Sequence, residues 1–567
     1  MHQPTATPRF SIYYDYQVFP CLPIEQLRAQ KRKQVVIAGA GPAGMTTALI
    51  LKRMGVDSTI LEAERQVSQG SRAIVFTRRS MEIMQQAGIT DRIMESGLPW
   101  NAGNSFYRGQ RVFRMEAPVG DSDRFPPLIN IQQQYIEEYL ADACAEAGIE
   151  IRWGNKVEDI LAHEPVVRMR VDTPAGEYEL EADWLIAADG ARSAIRQKYG
   201  LKMEGDAYEG RFVIADIRID LGLPTERLAF FDPSWNPGNT VLMHREPHGI
   251  WRVDYQLPPG ESPEEALAPA SLKTRIDAQL AMIGKAGIPW EMDWSSVYSA
   301  RAMTLPDYRH GHILFTGDCA HMLPIFGVRG ANTAFQDAQN LAWKLALVCR
   351  GQASPALLDT YSSERVGAAR EIIQEGGRST RFMTPPTHGF RLLRNATLSL
   401  ALQHAFVRPL FHWRTSRAHT YADSPLNASR NLAGVPADAA VGAVMPNLGL
   451  DDGTYLLDRL TPQFHVIVSA DAGEFAALRE LRAALEAQGM ALGILAVGEN
   501  AAAALPEAGL LPDAAGKFGK AVSNAADGGP RVLLVRPDQH IAGLWSKLDR
   551  DCIDRIGGAL RALDGTI

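Results

Sequence analysis

Residues 35–62, VVIAGAGPAGMTTALILKRMGVDSTILE, constrain this chain more than any other stretch. An apolar run at 35–38 leads into Gly39, Gly41 and Gly44 at the spacing G-x-G-x-x-G, with Pro42 and Ala43 inside it. Met45, Ala48, Leu49, Leu51 and Met54 follow at helical spacing, and after Gly55 a short apolar run at 58–61 closes on Glu62. Strand, tight turn, helix and second strand make a βαβ unit. Glycines let the backbone approach a pyrophosphate with no side chain in the way, and the helix start offers free N–H groups and a positive dipole end. Glu62 stands where a carboxylate would accept the hydroxyls of an adenosine ribose. A Gly-rich turn before a helix matches the glycine spacing by chance. It is the second strand and its terminal acid that favour dinucleotide binding over a merely structural βαβ unit.

At 567 residues the chain has length for roughly two to four domains. A content of 46% hydrophobic and 22% charged residues is that of a soluble globular protein, and a net charge of -7 argues against nucleic acid as a partner. The five cysteines, Cys21, Cys144, Cys319, Cys349 and Cys552, are odd in number and lack C-x-x-C pairing, so neither a disulfide framework nor a zinc site is expected. A reducing, cytoplasmic compartment follows as the default. No run approaches the length of a membrane span, and the first residues lack a signal-peptide pattern.

Residues 1–33 read as an arm whose rings, Phe10, Tyr13, Tyr14, Tyr16 and Phe19, should dock on the body. Residues 34–207 and 304–425 read as one α/β domain with a helical extension. Its helices are expected at 132–147, 332–350, 355–380 and 388–413, and strands at 149–153, 156–162, 166–173 and 177–182. Between them, 208–303 changes to longer strands divided by Pro and Gly, with one helix at 263–283, and reads as an inserted antiparallel sheet. From 430 to 567 a third, small α/β unit begins, with a helix at 472–488 and a last helix from about 548.

Five segments carry a resemblance: GAGPAG at 39–44, ILEAE at 60–64, GSRAI at 70–74, ADGARSAIR at 188–196, and GDCAH…GVRGANTAFQDAQNLAWKL at 317–345. Together they resemble the class A FAD-dependent aromatic hydroxylases, with the fold of 4-hydroxybenzoate hydroxylase. The third unit, with GAVMPNLGLDDGTYLLDRL and RVLLVRPDQHIAG, is similar to the thioredoxin-like C-terminal domain of the phenol hydroxylase and 3-(3-hydroxyphenyl)propionate hydroxylase branch. The fold implied is α/β: a Rossmann-like FAD domain, an inserted antiparallel-sheet substrate domain and a thioredoxin-like C-terminal domain.

The resemblance also implies site residues. Gly317 and Asp318 match the turn whose acid binds the FAD ribityl chain, Asp318 as a turn cap being the plainer alternative. Gly327, Gly330, Ala331 and Asn332 match the turn and helix start facing the flavin, where negative charge collects on reduction. Asn332 reads equally as an N-cap. Asp189 and Gly190 match a second fingerprint, with Arg192 and Arg196 as cofactor contacts or surface cations. Ala63 beside Glu62, Arg72 near flavin and pyrophosphate, and Gln133 on the helix after it complete the FAD set, with Gln132 and Gln134 leaving the register of Gln133 open. Many relatives read P-P where this chain has Pro324-Ile325, which puts a carbonyl contact to substrate in doubt.

The chemistry implied is reduction of FAD by NADH or NADPH, addition of O2 at the flavin C4a, and transfer of the distal oxygen of the hydroperoxide to a small aromatic substrate, commonly a phenol that must lose its proton. Strand alternation puts Trp251, Val253, Tyr255 and Leu257 on one face and Arg252, Asp254 and Gln256 on the other. Tyr255 on the apolar face, His244 and Arg211 are the candidate substrate contacts, each also readable as core or rim. No metal ligand set appears, because Pro247 and Gly249 deny His244 and His248 a helix. Monomer or homodimer, no nucleic acid and no membrane complete the expectation. Two rivals remain: a flavin-binding regulator or scaffold, and a halogenase, whose W-x-W-x-I-P motif finds only Trp290-Glu-Met-Asp-Trp294 here.

Overall fold

In the computed structural model of the chain, which describes residues 2–120, 123–258, 260–324, 326–410, 416–469, 473–524 and 529–564, strand Arg32–Ala38 lies inside an eight-stranded sheet. Its burial rises to complete at the carboxyl end, as a parallel strand covered on both faces requires. It pairs in parallel with Ser58–Glu62 on one side and with Gly176–Ala187 on the other, and Ile313–Phe315 joins beyond the latter. The strand expected at 177–182 runs on through Asp183, whose carboxylate meets Arg32, as far as Ala187. Helices Pro42–Arg53 and Gly330–Cys349 pack on this sheet, the second buried along nearly its whole length.

The second sheet is larger than the segment 208–303. Its long central strands, Glu204–Arg218 and Glu291–Thr304, are followed outward by Ile250–Gln256, Thr240–Arg245 and Arg227–Phe231. Strands Ala102–Tyr107 and Gln110–Glu116, from outside that segment, then extend its edge. The join of Arg227–Phe231 to Ala102–Tyr107 is parallel, whereas the other pairings of this sheet are antiparallel. The helix expected at 263–283 is broken into Pro263–Ala266 and Pro269–Met282, because Pro269 has no N–H to donate and can only begin a helix. Leu272, Ile276 and Leu280 of the second piece cover the apolar sheet face made by Val213, Ala215, Met243, Val253 and Tyr255.

Helix Leu357–Met383 runs three residues past 380, and His388–Ala401 stops well short of 413 and gives way to a 3-10 turn, Ala405–Leu410, at Pro409. Residues 411–413 lie outside the described residues, as do 472, 565–567 and Met1. The arm docks as its rings suggest. Tyr14 and Tyr16 are buried against Val67, Phe19 stacks on Trp153 with centroids 4.2 Å apart, and a short helix, Ile24–Ala29, unexpected from sequence, ends it. Phe10 alone of the five rings stays exposed, at 73%. Among the described residues no helix is long and apolar enough to cross a membrane, and no group of His, Cys, Asp and Glu could hold a metal ion.

In the C-terminal unit, Phe464–Val468 pairs in parallel with Leu492–Val497 and antiparallel with Val532–Val535, which pairs with Ile541–Trp545. Helices Phe475–Ala487 and Arg550–Arg561 complete it. The turn after Val532–Val535 plugs into the first domain. Arg536 bonds Glu364 through two N–H groups at 2.7 and 3.0 Å, while Asp538 accepts from Trp343 Nε1 at 3.0 Å. Lys344 Nζ reaches Glu364 at 2.6 Å and Arg536 reaches Asp538 at 2.5 Å, all four charged groups being buried. Two cations and two anions cancel, which is what allows them inside.

Burial alone would push Glu364 and Asp538 up, but Arg536, with Lys344 beside the first and His540 beside the second, outweighs it and holds both below the ordinary carboxylate range. With folded pKa values depressed, their contribution to stability is complete above the unfolded value of about 4 and is lost as pH falls below it. Glu364→Ala should destabilise the protein by about 3–5 kcal/mol in denaturant unfolding, because Lys344 and Arg536 stay buried without that partner. Glu364→Gln should flatten the acid limb of the stability profile relative to the parent.

Candidate functional site

The three glycine-bearing turns meet. A Cβ built on Gly39 would fall 2.3 Å from the Ala188 carbonyl oxygen, and one on Gly317 would fall 3.2 Å from Ala43 and 3.5 Å from Ala334. The turns after Arg32–Ala38, Gly176–Ala187 and Ile313–Phe315 and the start of helix Gly330–Cys349 therefore border one cleft at the carboxyl ends of parallel strands, where open α/β sheets bind ligands.

Several of the residues expected at a nucleotide lie at or near these turns. Gly41 precedes helix Pro42–Arg53, and a Cβ on it would meet nothing within 4 Å, so its backbone faces open space at a helix N-terminus. Gly44 is different: a Cβ there would lie 2.1 Å from the Gly39 carbonyl, so it serves close packing. Glu62 accepts from Ala40 N at 2.7 Å and from Glu64 N at 2.8 Å. Burial pushes its pKa up against those two bonds. Beside it, the Ala63 carbonyl takes a bond from His2 Nε2 of the arm at 2.7 Å.

Asp189 accepts from Ile195 N at 3.2 Å through Oδ2, while its Oδ1 is buried with no hydrogen bond. Gly190 turns at φ +75°. Arg196 is no surface cation: it is buried and donates to the carbonyls of Cys319 at 3.0 Å and Ala191 at 2.7 Å, tying the second fingerprint to the Gly317 turn. Arg192 is exposed. Cys319 is fully buried, with its thiol on the carbonyls of Ala187 and Thr316 and its pKa raised by burial, so it is a packed residue.

The three glutamines have separate partners. Gln133 accepts from Ala73 N at 3.0 Å and donates to Glu137 at 2.7 Å, holding the segment of Arg72, whereas Gln132 bonds the Pro247 carbonyl and Gln134 the hydroxyl of Tyr13. Asp318 is solvent-accessible, yet enough protein surrounds it that burial lifts its pKa, with His321 and Arg72 opposing: an acid lining a cleft. Arg72 is exposed and electrostatically felt by both Asp318 and Glu137.

Asn332 is not an N-cap. The helix begins at Gly330 with Arg329 in the cap position, and the Asn332 amide is spent on Thr77 N at 2.9 Å, Ser80 Oγ at 2.6 Å and the carbonyls of Val75 and Val328. Its side chain staples strand Val75–Thr77 to the helix, leaving the backbone of Gly330 and Ala331 to face the cleft. Pro324 is buried; a Cβ on Gly376 would lie 2.9 Å from its ring, and Ile325 lies outside the described residues.

The second sheet closes the cleft with its polar face, which reverses the expectation for the substrate side. Tyr255 lies under helix Pro269–Met282 beside Trp235, with the Arg275 guanidinium over its ring. Arg211 reaches the Glu261 carbonyl at 2.6 Å, at the rim of that same far side. Neither is in the cleft. His244 is, buried beside Trp100 with its Nδ1 unbonded, and burial with Arg227 and Arg252 nearby keeps it neutral by lowering its pKa well below the usual value.

On the same face Arg252 bonds Asp216 twice at 2.8 Å and reaches the Ser71 carbonyl. Glu246, 3.4 Å from Arg252, is buried and pushed up by burial and by Asp216. Next along the face come Asp254, Ile214, Ser296 and Tyr298, all half-buried, and then Phe212 against Phe326 at 5.4 Å. The halogenase-like pair is occupied elsewhere, Trp290 Nε1 bonding Asp277 and Trp294 packing on Gly70.

An open turn at a helix start, an accessible acid inside the body and an unbonded buried Asp189 oxygen suit a dinucleotide carrying a flavin, so fold and site define a nucleotide-binding flavoprotein. The family model described as FAD binding domain matches residues 32–376, and the chain belongs to that family. It is 29% identical over 464 residues to a 6-methylpretetramide 4-monooxygenase of Streptomyces rimosus, covering 78% of this chain and 81% of that protein. To the 3-(3-hydroxy-phenyl)propionate/3-hydroxycinnamic acid hydroxylase of Escherichia coli K12 it is 28% identical over 365 residues, which span 64% of each chain. In fold it is similar to the flavin-dependent monooxygenase PieE, solved with FAD and substrate, at a TM-score of 0.78 and 22% identity over 94% of this chain and 99% of that one.

Two glycines separate cradle from scaffold. Gly41→Ala should leave the stability of the cofactor-free protein within about 1 kcal/mol, an N-cap change only, while weakening FAD binding at least ~10-fold in a fluorescence titration because the methyl occupies the phosphate's space. Gly39→Ala, with φ +113° and the Ala188 carbonyl in the way, should destabilise the fold itself by about 2–3 kcal/mol.

Proposed function

We propose that this protein is an FAD-dependent monooxygenase that hydroxylates a phenolic or related aromatic ring, with NADH or NADPH as reductant and O2 as oxidant. The convergence of the Gly41 turn, Asp318 and the Gly330 helix start on one cleft floored by the second sheet carries the reading, and the kinship to a monooxygenase and a hydroxylase supports it. Bound there, the flavin supplies electron transfer to O2 and delivery of one oxygen atom to the ring. The remaining work falls to the chain. Glu62 accepts from ribose, the Gly41 turn holds the pyrophosphate, and Asp318 accepts from a ribityl hydroxyl. Backbone N–H groups at Gly330 and Ala331, at the positive end of a helix of 20 residues, would favour negative charge on a flavin ring held there.

The apolar cluster of Phe212, Leu242, Phe326 and Met383 keeps water away from the reacting ring, and Pro324 backs it. The C-terminal βαβ-ββα unit reads as a thioredoxin-like module used for packing, since Cys552 is buried with its thiol pushed up to about 12.

The purified protein should carry FAD, and members of a panel of phenols should stimulate its NADH or NADPH oxidation with oxygenated product formed in proportion. Stimulated oxidation with no oxygenated product, or none at all, would defeat the proposal and leave a flavin-binding scaffold. Asp318→Ala should weaken FAD binding by about 1.5–3 kcal/mol, the range of a hydrogen bond to a charged group, with the unfolding midpoint of the cofactor-free protein unchanged.

A further inference from the structure

Asp254 takes no part in the nucleotide cradle. Alternate residues of strand Ile250–Gln256 face the cleft, about 7 Å apart. At one end of this row Arg252 reaches the backbone of Ser71 and, at 3.5 Å, of Arg72. At the other end Gln256 lies opposite Phe212, whose ring meets Phe326. Asp254 stands between them, flanked across the sheet by Ile214 and by Leu242. It therefore faces the interval between the Arg72 segment and the loop of Pro324 and Phe326. Both oxygens of nearby Asp216 are taken by Arg252, whereas Oδ1 of Asp254 is buried and accepts no hydrogen bond.

We infer that Asp254 is the base that takes the proton from the ring hydroxyl of a phenol lying on this face, an assignment that rests on the hydroxylase reading. The phenolic O–H bond breaks, its electron pair stays on oxygen and spreads to the ortho and para carbons, and a new O–H bond forms on the carboxylate. Charge is moved and none is created, because the carboxylate becomes neutral as the phenolate appears. Because the number of charges is unchanged, the exchange adds little desolvation cost.

The groups facing Asp254 are Arg252 on its own strand, Asp216 on Glu204–Arg218, Arg227 on Arg227–Phe231, and His244 and Glu246 on or just after Thr240–Arg245. Burial and Asp216 push Asp254 up while Arg252 and Arg227 pull it down, which leaves it at about 7, where a general base works near neutral pH. His244 is a poorer base, held neutral far below that range and packed on Trp100.

The test uses FAD-loaded protein and 3-nitrophenol, whose ionised form has its own absorption band and which ionises at higher pH than Asp254. Just above pH 7, where Asp254 is mostly ionised and the free probe still mostly protonated, the parent should bind it with the nitrophenolate band enriched over solution. Asp254→Asn should bind it as the neutral phenol, seen by flavin fluorescence, with Asp254→Glu restoring ionisation. With a turned-over phenol, the parent's kcat should rise through about pH 7. In D254N that limb should vanish and kcat fall ~10²–10⁴-fold, the usual contribution of a general base, with KM little changed.

Equal nitrophenolate in D254N and parent overturns the assignment, as does a parent that binds only neutral probe or none. Loss of FAD from both D254N and D254E overturns it too, by making Asp254 a structural group. A parent that ionises the probe but shows no phenol-stimulated NADH or NADPH oxidation defeats the hydroxylase reading instead.

Discussion

Three backbone hydrogen bonds carry the parallel ladders one residue past the strands and into the turns: Gly39 N to Leu61 O at 2.8 Å, Ala188 N to Ala38 O at 2.8 Å, and Thr316 N to Ala187 O at 3.0 Å. Each turn is thereby hung on the end of its neighbour. The cleft inherits its shape from sheet geometry, not from loop side chains, and its glycines are placed by that inheritance. Gly39 is required on two counts: its φ is positive, and the Ala188 carbonyl occupies the space of a side chain. A ligand spanning these turns meets donors already oriented, which spares the ordering cost of binding.

Buried charge is balanced at two places and left unbalanced at a third. At the C-terminal plug, Lys344 and Arg536 meet Glu364 and Asp538 in equal number. Under the Gly317 turn, Asp337 accepts from His321 and Arg365, each at 2.6 Å, and Arg365 passes on to the Tyr421 hydroxyl at 2.9 Å. On the cleft floor the balance is left incomplete: Arg252 satisfies Asp216, while Glu246 and Asp254 keep unbonded buried oxygens. An uncompensated acid is costly in a folded protein and tends to be kept where something passes that uses it.

Local pattern made the nucleotide unit legible. The G-x-G-x-x-G turn and the acid that ends the second strand depend on near neighbours, and the structure has them in place. Strands 102–107 and 110–116 were missed because their place depends on a parallel pairing with residues more than a hundred positions away. Strand alternation divided 250–256 correctly into two faces, but the apolar face was assigned to the wrong side. The helix that follows, with Leu272, Ile276 and Leu280, needs an apolar sheet to lie on, so Tyr255 belongs beneath it and the Arg252–Asp254 face toward the cleft. That signal was present in the order of the elements. Nothing in the sequence, by contrast, showed that Asn332 would spend its amide on Thr77 and Ser80, since that bond joins residues brought together only by the finished fold.

The arm crosses from one sheet to the other. His2 and Arg9 hold Ala63 and Glu64 of the first domain, Ser11 and the Ile12 amide hold Asp293 of the second sheet, and Tyr16 returns to Ser68 and Gly70. A segment bonded to both sheets stitches them together, so parting the seam on that flank means breaking the contacts of residues 2–16 on both sides of it.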